Sequence, residues 1–206
     1  MRFFAVMLLS LALPLKAEDK TLYRSGVHFD VLNPAYELPA SEKTQVYEFF
    51  SYSCGGCAQF EPLMERIEQT HHDKIEIVRV PVVFNPQWEI TARTYYTAEV
   101  MGLLDKSHKA IFNAIHGQGK RFRKIEDVAD WFASSFGTDK EAFVSTAQSF
   151  AVDSRLRSAQ KMAKKVGVQR TPTLMIGGKY IPKTANLNQK SLLDVVSYLV
   201  NKSAGS

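Results

Sequence analysis

The chain contains two cysteines, Cys54 and Cys57, and two glycines separate them. They follow an apolar stretch rich in β-branched and aromatic residues and precede a stretch with helical periodicity, so we expect Cys54 to lie at the start of a helix. The free N–H groups of a first helical turn favour a thiolate at that position. Cys57 would lie almost one turn further on, close enough to attack a mixed disulfide formed by Cys54. The spacing therefore predicts a redox-active dithiol, with Cys54 as the nucleophile and Cys57 as the resolving thiol.

Two other roles for the cysteine pair have less support. A structural disulfide across so short a loop would restrict the unfolded chain little, and would therefore stabilise the fold little. A zinc or copper site would need further ligands close to the two thiols. His71 and His72 lie beyond the far end of the predicted helix, about 20 Å away at the rise of an α-helix. We therefore predict no metal and no cofactor.

The N-terminus has the organisation of a secretory signal peptide. Arg2 precedes an apolar run from Phe3 to Leu15, and Ala17 provides a small residue at the expected cleavage point. The run contains a proline and is too short to span a bilayer comfortably as an uncleaved anchor. We therefore predict that residues 1–17 are removed on export to an oxidising compartment, where paired cysteines can persist as a disulfide.

The charge balance does not suggest a nucleic-acid-binding protein. The formal net charge of +5 falls to +3 when Arg2 and Lys16 leave with the predicted signal peptide. A basic run at 120–124 contains Phe122 and could contact anionic lipid, but a solvated loop between two helices explains it more simply. The apolar share of 45% is ordinary and supplies a core.

The order of the predicted elements indicates an α/β fold with a helical insertion. Strand patterns occur in five segments, 26–32, 45–52, 75–83, 171–176 and 179–182. Helical periodicity occurs in six segments, 55–70, 88–102, 105–116, 125–136, 139–166 and 188–201. Gly177-Gly178 separates the last two strands and is typical of a tight hairpin turn. The sequence therefore predicts a central mixed sheet flanked by helices and interrupted by a helical subdomain.

These features resemble the DsbA family of exported bacterial thiol–disulfide oxidoreductases, within the thioredoxin superfamily. The resemblance rests on residues 48–62 around the cysteines, on residues 167–180 around Thr171-Pro172, and on the helical insertion between them. It covers nearly the whole mature chain and implies a thioredoxin fold. The chain then divides into a signal peptide at 1–17, a thioredoxin-like domain at 18–84 and 167–206, and an inserted helical subdomain with its connecting long helix at 85–166.

The resemblance also implies that Thr171 and Pro172 form the second half of the site. In this family the bond between them is cis, which places the Thr171 backbone beside the cysteines. An extended substrate segment could then pair with Thr171 as an added strand. Without the resemblance, an ordinary trans proline at the start of a strand would be the default expectation.

Glu48 lies six residues before Cys54 in an otherwise apolar strand, where the family carries an acidic residue. If the carboxyl is buried, its pKa would be raised and it could take the proton from Cys57 as that thiol attacks. If it pairs with Arg79 on the neighbouring strand, the pairing would lower its pKa instead. The sequence alone does not decide between these two outcomes.

The function implied by the resemblance is disulfide donation to reduced or unfolded exported proteins in the periplasm. A DsbB-like quinone-linked membrane protein would then reoxidise the Cys54–Cys57 pair. Two differences from the usual DsbA sequence pattern leave the direction of thiol–disulfide exchange open. Gly55-Gly56 stand where many DsbA proteins have Pro-His, and Thr171 stands where familiar oxidases have Val and disulfide isomerases have Thr.

A reductase or isomerase on the same fold is therefore the main alternative. Familiar isomerases dimerise through an added N-terminal domain, and too few residues precede the strand at Gln45 to form one. This favours an oxidase and a monomer. A non-catalytic metal or peptide carrier with the same fold is a third possibility, and such a carrier would not require Cys54.

Overall fold

Five strands form one mixed sheet in the computed structural model, which describes residues 22–184 and 187–205. The strands are β1 (Phe29–Val31), β2 (Thr44–Phe50), β3 (Ile75–Pro81), β4 (Thr173–Ile176) and β5 (Tyr180–Pro182), in the order β1-β5-β4-β2-β3. The β2–β3 pair is parallel, whereas β2–β4, β4–β5 and β1–β5 are antiparallel. The predicted mixed sheet is confirmed, and the predicted signal peptide at 1–17 lies outside the described residues.

Helices cover both faces of the sheet. On one face, α1 (Gly55–His71) and α7 (Gln189–Ala204) pack over a core that includes Val46, Leu63 and Leu174. Between β3 and β4 the chain forms five further helices, α2 (Pro86–Val100), α3 (Leu104–Phe112), α4 (Ile125–Phe136), α5 (Lys140–Ala147) and α6 (Phe150–Val166). Their aromatic core is continuous with Phe49 and Phe50 of β2. The predicted helical insertion is confirmed. No helix in 22–184 or 187–205 is both long and apolar enough to cross a membrane.

The predicted single helical segment at 139–166 is wrong, because it consists of two helices. The first ends at Ala147, and the Ser149 side chain accepts a hydrogen bond from Val152 N at 3.4 Å to begin the second. Apolar residues recur on both sides of this break, so the periodicity alone does not show it. The strand predicted at 26–32 is also shorter, since β5 offers partners only from Phe29 to Val31.

The predicted hairpin turn is confirmed at Gly177-Gly178. Both residues have positive φ, +56° and +67°, as the tight turns that join antiparallel strands require. A Cβ on Gly178 would overlap the carbonyl oxygen of Tyr36. The two residues lie this close because the Tyr36 N–H donates a hydrogen bond to the Gly178 carbonyl oxygen at 2.7 Å. This turn therefore needs glycine for both its backbone conformation and its close packing.

We expect Gly178→Ala to lower the free energy of unfolding by at least about 2 kcal/mol, because the methyl group adds a clash to the strain of positive φ. Gly137→Ala is the matched control: Gly137 has φ +68° and nothing within 4 Å of its Cβ position. The control should lose only about 1 kcal/mol. Urea denaturation of both variants measures the difference, and equal losses would contradict a role for the Tyr36 contact.

Candidate active site

Cys54 forms the N-cap of α1. It is extended, with φ −94° and ψ 112°, and its Sγ accepts a hydrogen bond from Cys57 N at 3.3 Å. The preceding loop is fixed by two hydrogen bonds to Ser51: Cys54 N donates to its carbonyl at 3.0 Å and Ser53 N donates to its Oγ at 3.1 Å. A sulfur in the N-cap position satisfies a free N–H of the first turn, and the bond is strongest for the thiolate.

Cys57 differs from Cys54 in its exposure. Cys57 has 0% of its surface exposed, whereas Cys54 is only partly buried, and both are free thiols. Burial raises the pKa of the Cys57 thiol, and the neighbouring Cys54 raises it further. An external partner can therefore reach Cys54 first, and Cys57 holds its proton strongly.

The Thr171–Pro172 segment lies directly beside the cysteines. The bond between the two residues is cis, and the Cys54 thiol lies 3.7 Å from the carbonyl oxygen of Thr171. Gly56 packs against the same segment, since a Cβ there would lie 3.7 Å from both Pro172 Cδ and Cys54 Sγ. The structure thus brings Cys54, Cys57, Thr171 and Pro172 together, although 117 positions separate Cys54 from Thr171.

Glu48 belongs to a buried charged cluster beneath α1. Its side chain is 0% exposed, and its Oε2 lies 3.3 Å from Arg79 Nε, its register partner on β3. Arg79 also lies 3.9 Å from Glu61, which lies one helical turn after Cys57. One guanidinium therefore faces two buried carboxyls, and neither carboxyl has a well-aligned hydrogen bond within the described residues.

Glu48 is both buried and paired with Arg79, and burial has the larger effect on its pKa. Desolvation raises the pKa of the Glu48 carboxyl from 4.5 to about 8, because Arg79 lowers it only in part and Glu61 raises it again. Arg79 does lower the pKa, as the pairing predicts, but the net shift is upward. Near neutral pH this carboxyl is mostly protonated.

Two histidines that no sequence motif marks, His108 and His116, lie next to the site. His108 Nδ1 lies 2.8 Å from the Tyr52 hydroxyl, and its Nε2 lies 3.3 Å from Glu61 Oε2. Burial lowers the pKa of His108. His116 Nε2 lies 2.8 Å from the Tyr52 carbonyl oxygen. Neither histidine has a recognisable motif, because each meets Tyr52 only through the folding of the insertion.

A metal centre has no support in the described part of the chain. In 22–184 and 187–205 no group of three or more His, Cys, Asp or Glu side chains is arranged to hold a metal ion. The chemistry available at the site is that of two thiols at a helix N-terminus, with a buried carboxyl cluster below them.

Comparison with known proteins identifies the family. Residues 45–192 match the family described as "DSBA-like thioredoxin domain". The chain belongs to this DsbA-like family. It is 31% identical over 181 residues to the thiol:disulfide interchange protein DsbA of Pseudomonas aeruginosa, covering 87% of this chain and 85% of the relative. It is 30% identical over 205 residues to DsbA of Burkholderia cepacia, covering 98% and 96% of the two chains.

Solved structures of DsbA proteins agree with this assignment. The crystal structure of Pseudomonas aeruginosa DsbA has a TM-score of 0.82 and 30% identity, over 89% of this chain and 95% of that one. The protein is a thiol:disulfide oxidoreductase with the thioredoxin-like DsbA fold, as the sequence predicts.

Proposed function

We propose that the protein acts in the periplasm as an oxidase that donates a Cys54–Cys57 disulfide to reduced or unfolded exported proteins. The observation that carries this direction is the N-cap geometry of Cys54, whose Sγ accepts the Cys57 N–H at 3.3 Å. This bond stabilises a thiolate, which exists only in the reduced enzyme. Stabilising the reduced form makes the corresponding disulfide a stronger oxidant. The predicted signal peptide at 1–17 supports export.

Disulfide donation proceeds by two displacements. A substrate thiolate attacks Cys54 Sγ, which is the more exposed sulfur, and Cys57 leaves as a thiolate that takes up a proton. A second substrate thiolate then attacks the substrate sulfur of the mixed disulfide, and Cys54 leaves as the thiolate held at the helix N-terminus. The substrate has lost two electrons and the enzyme has gained them as a dithiol.

Glu48 is proposed as the group that exchanges the proton with Cys57. Successive residues of a strand face opposite sides of the sheet, so Glu48 shares the face of Val46, which packs beneath α1. With its pKa raised to about 8, the Glu48 carboxyl can donate a proton to the Cys57 thiolate at neutral pH. In the reverse step it takes the proton back as Cys57 attacks.

The surface beside Pro172 is suited to an unfolded polypeptide. A groove of about 290 Å³ runs along the site and is lined by Gly56, Phe60, Leu63, Thr171, Pro172 and Leu187. Its apolar side chains can receive those of an unfolded substrate. The backbone of Thr171 provides groups for pairing with an extended segment.

Reoxidation requires a partner that accepts two electrons from the Cys54–Cys57 dithiol. We assign this step to a DsbB-like quinone-linked membrane protein, and we propose that the enzyme works as a monomer. The reoxidation partner is inferred from the family. The monomer is proposed because the exchange chemistry needs only one copy of the site.

The reduction potential, measured by equilibration with glutathione buffers, tests the direction of exchange. We expect a value closer to about −120 mV, known for DsbA, than to about −270 mV, known for thioredoxin. Gly55-Gly56 leave the thiolate without a side-chain donor from the dipeptide, so we expect a somewhat weaker oxidant than DsbA. A value closer to that of thioredoxin would contradict the oxidase and favour the reductase.

A further inference from the structure

Tyr52 is held at both ends by histidines of the helical insertion. Its hydroxyl lies 2.8 Å from His108 Nδ1, and its carbonyl oxygen lies 2.8 Å from His116 Nε2. A carbonyl oxygen can only accept a hydrogen bond, so Nε2 of His116 must be the donor. Tyr52 is 1% exposed and lies two residues before Cys54. The two bonds therefore connect the insertion to the loop that carries the nucleophile.

A π-helical segment brings the two histidines into register. They are eight residues apart, and eight residues of a regular α-helix would leave their side chains about 80° apart around the axis. Helix α3 instead continues into a π-helical turn at Asn113–Gly117, and Gln118 N donates to Asn113 O at 2.9 Å. This turn takes up one additional residue, so that both side chains reach Tyr52.

His116 also lies against the active-site dipeptide. A Cβ built on Gly55 would lie 4.0 Å from both Nδ1 and Cε1 of the imidazole. The ring centroids of Phe112 and His116 lie 6.2 Å apart. The His116 side chain is thus fixed between the insertion, the Tyr52 carbonyl and the first residue of α1, although it remains exposed to solvent.

We propose that His116 is a positioning residue of the redox site, whose Nε2–H bond to the Tyr52 carbonyl holds the 52–54 loop so that Cys54 Sγ faces the Cys57 N–H. This inference rests on the proposed exchange function. Without the bond the loop keeps the contacts of Ser51, the Tyr52 hydroxyl bond to His108 and the Ser53 Oγ–Thr91 Oγ1 bond at 3.2 Å, but no contact of the Tyr52 carbonyl among the described residues replaces the lost donor. The Cys54 thiolate then loses part of its helix N-terminal stabilisation, and both its reactivity and the oxidising strength of the disulfide fall.

Two amide substitutions of His116 distinguish the effect of its hydrogen-bond donor from the effect of the rest of its side chain. The amide nitrogen of glutamine can occupy the position of Nε2, whereas that of asparagine reaches only the position of Nδ1. We expect His116→Asn to reduce the rate of Cys54 alkylation by iodoacetamide by about fivefold. We expect the same fold reduction in the equilibrium constant for reduction of the Cys54–Cys57 disulfide by glutathione. About fivefold corresponds to the typical contribution of one hydrogen bond. We expect His116→Gln to stay within about twofold of the wild type in both measurements.

The pattern of these results decides the proposal. A fivefold loss in His116→Asn together with rescue in His116→Gln supports it, after thermal denaturation confirms that both variants are folded. Equal losses in the two variants, or no loss in either, would overturn it. The wild-type measurement distinguishes a failure of this inference from a failure of the proposed function. If the wild type itself does not exchange with glutathione, the proposed function is contradicted.

Discussion

Cys54→Ser is expected to reduce the oxidation of a dithiol peptide to the uncatalysed rate, because a serine hydroxyl cannot form the disulfide that the enzyme donates. Cys57→Ala is expected to behave differently. Its Cys54 thiolate can attack an oxidised partner and release one partner thiol, but no internal thiol remains to displace the mixed disulfide. The covalent complex should therefore accumulate.

Non-reducing electrophoresis of each variant, incubated with a disulfide-bonded peptide, measures the trapped complex. Cys57 is fully buried, so circular dichroism of Cys57→Ala must first show the native fold. Cys54→Ser should form no complex, because its remaining thiol is inaccessible and burial raises its pKa. If the two variants trap equal amounts, the assignment of Cys54 as nucleophile and Cys57 as resolving thiol is wrong.

The segments with strong local signals were predictable. The apolar run at β2, the helical pattern of α1 and the glycine pair at 177–178 each carry their structure in a short window of sequence. The pairing of Cys54 with Thr171 is different, because 117 positions separate them and no local pattern joins them. That contact was predictable only through the resemblance to the family.

The remaining differences come from interactions that a sequence pattern does not contain. The break between α5 and α6 depends on one side-chain cap at Ser149, within a continuous apolar periodicity. The positions of His108 and His116 depend on a π-helical turn, which moves residues out of the register that α-helical periodicity assumes. The cap at Ser149 is a local contact that apolar periodicity does not show, whereas the π-helical turn becomes apparent only in the folded insertion.

Glu48 shows why the relative sizes of opposing effects on a pKa cannot be determined without a structure. The sequence places an acid beside Arg79 and predicts two shifts of opposite sign for its pKa. The outcome depends on how fully the carboxyl is buried and on whether a second acid shares the guanidinium. Full burial and the presence of Glu61 together outweigh Arg79.

Because of this raised pKa, we expect the contribution of Glu48 to the free energy of unfolding to decrease as the pH rises from about 4.5 to about 8. At pH values below 4.5 the Glu48 carboxyl is protonated in both the folded and the unfolded chain. At higher pH the unfolded chain loses this proton first, and ionisation stabilises the unfolded state until the folded carboxyl also titrates, near pH 8. The expected loss is on the order of 3–5 kcal/mol.

Glu48→Gln removes this titration and keeps a polar side chain beside Arg79. The free energy of unfolding of Glu48→Gln minus that of the wild type should therefore increase by several kcal/mol between pH 4.5 and pH 8. Guanidinium denaturation of the disulfide form measures it without interference from thiol ionisation. Glu42→Gln, which changes an exposed carboxyl, is the control for the loss of one carboxyl. A difference for Glu48→Gln that does not change with pH would mean that Glu48 is ionised in the folded protein, and it could then not protonate the leaving Cys57 thiolate.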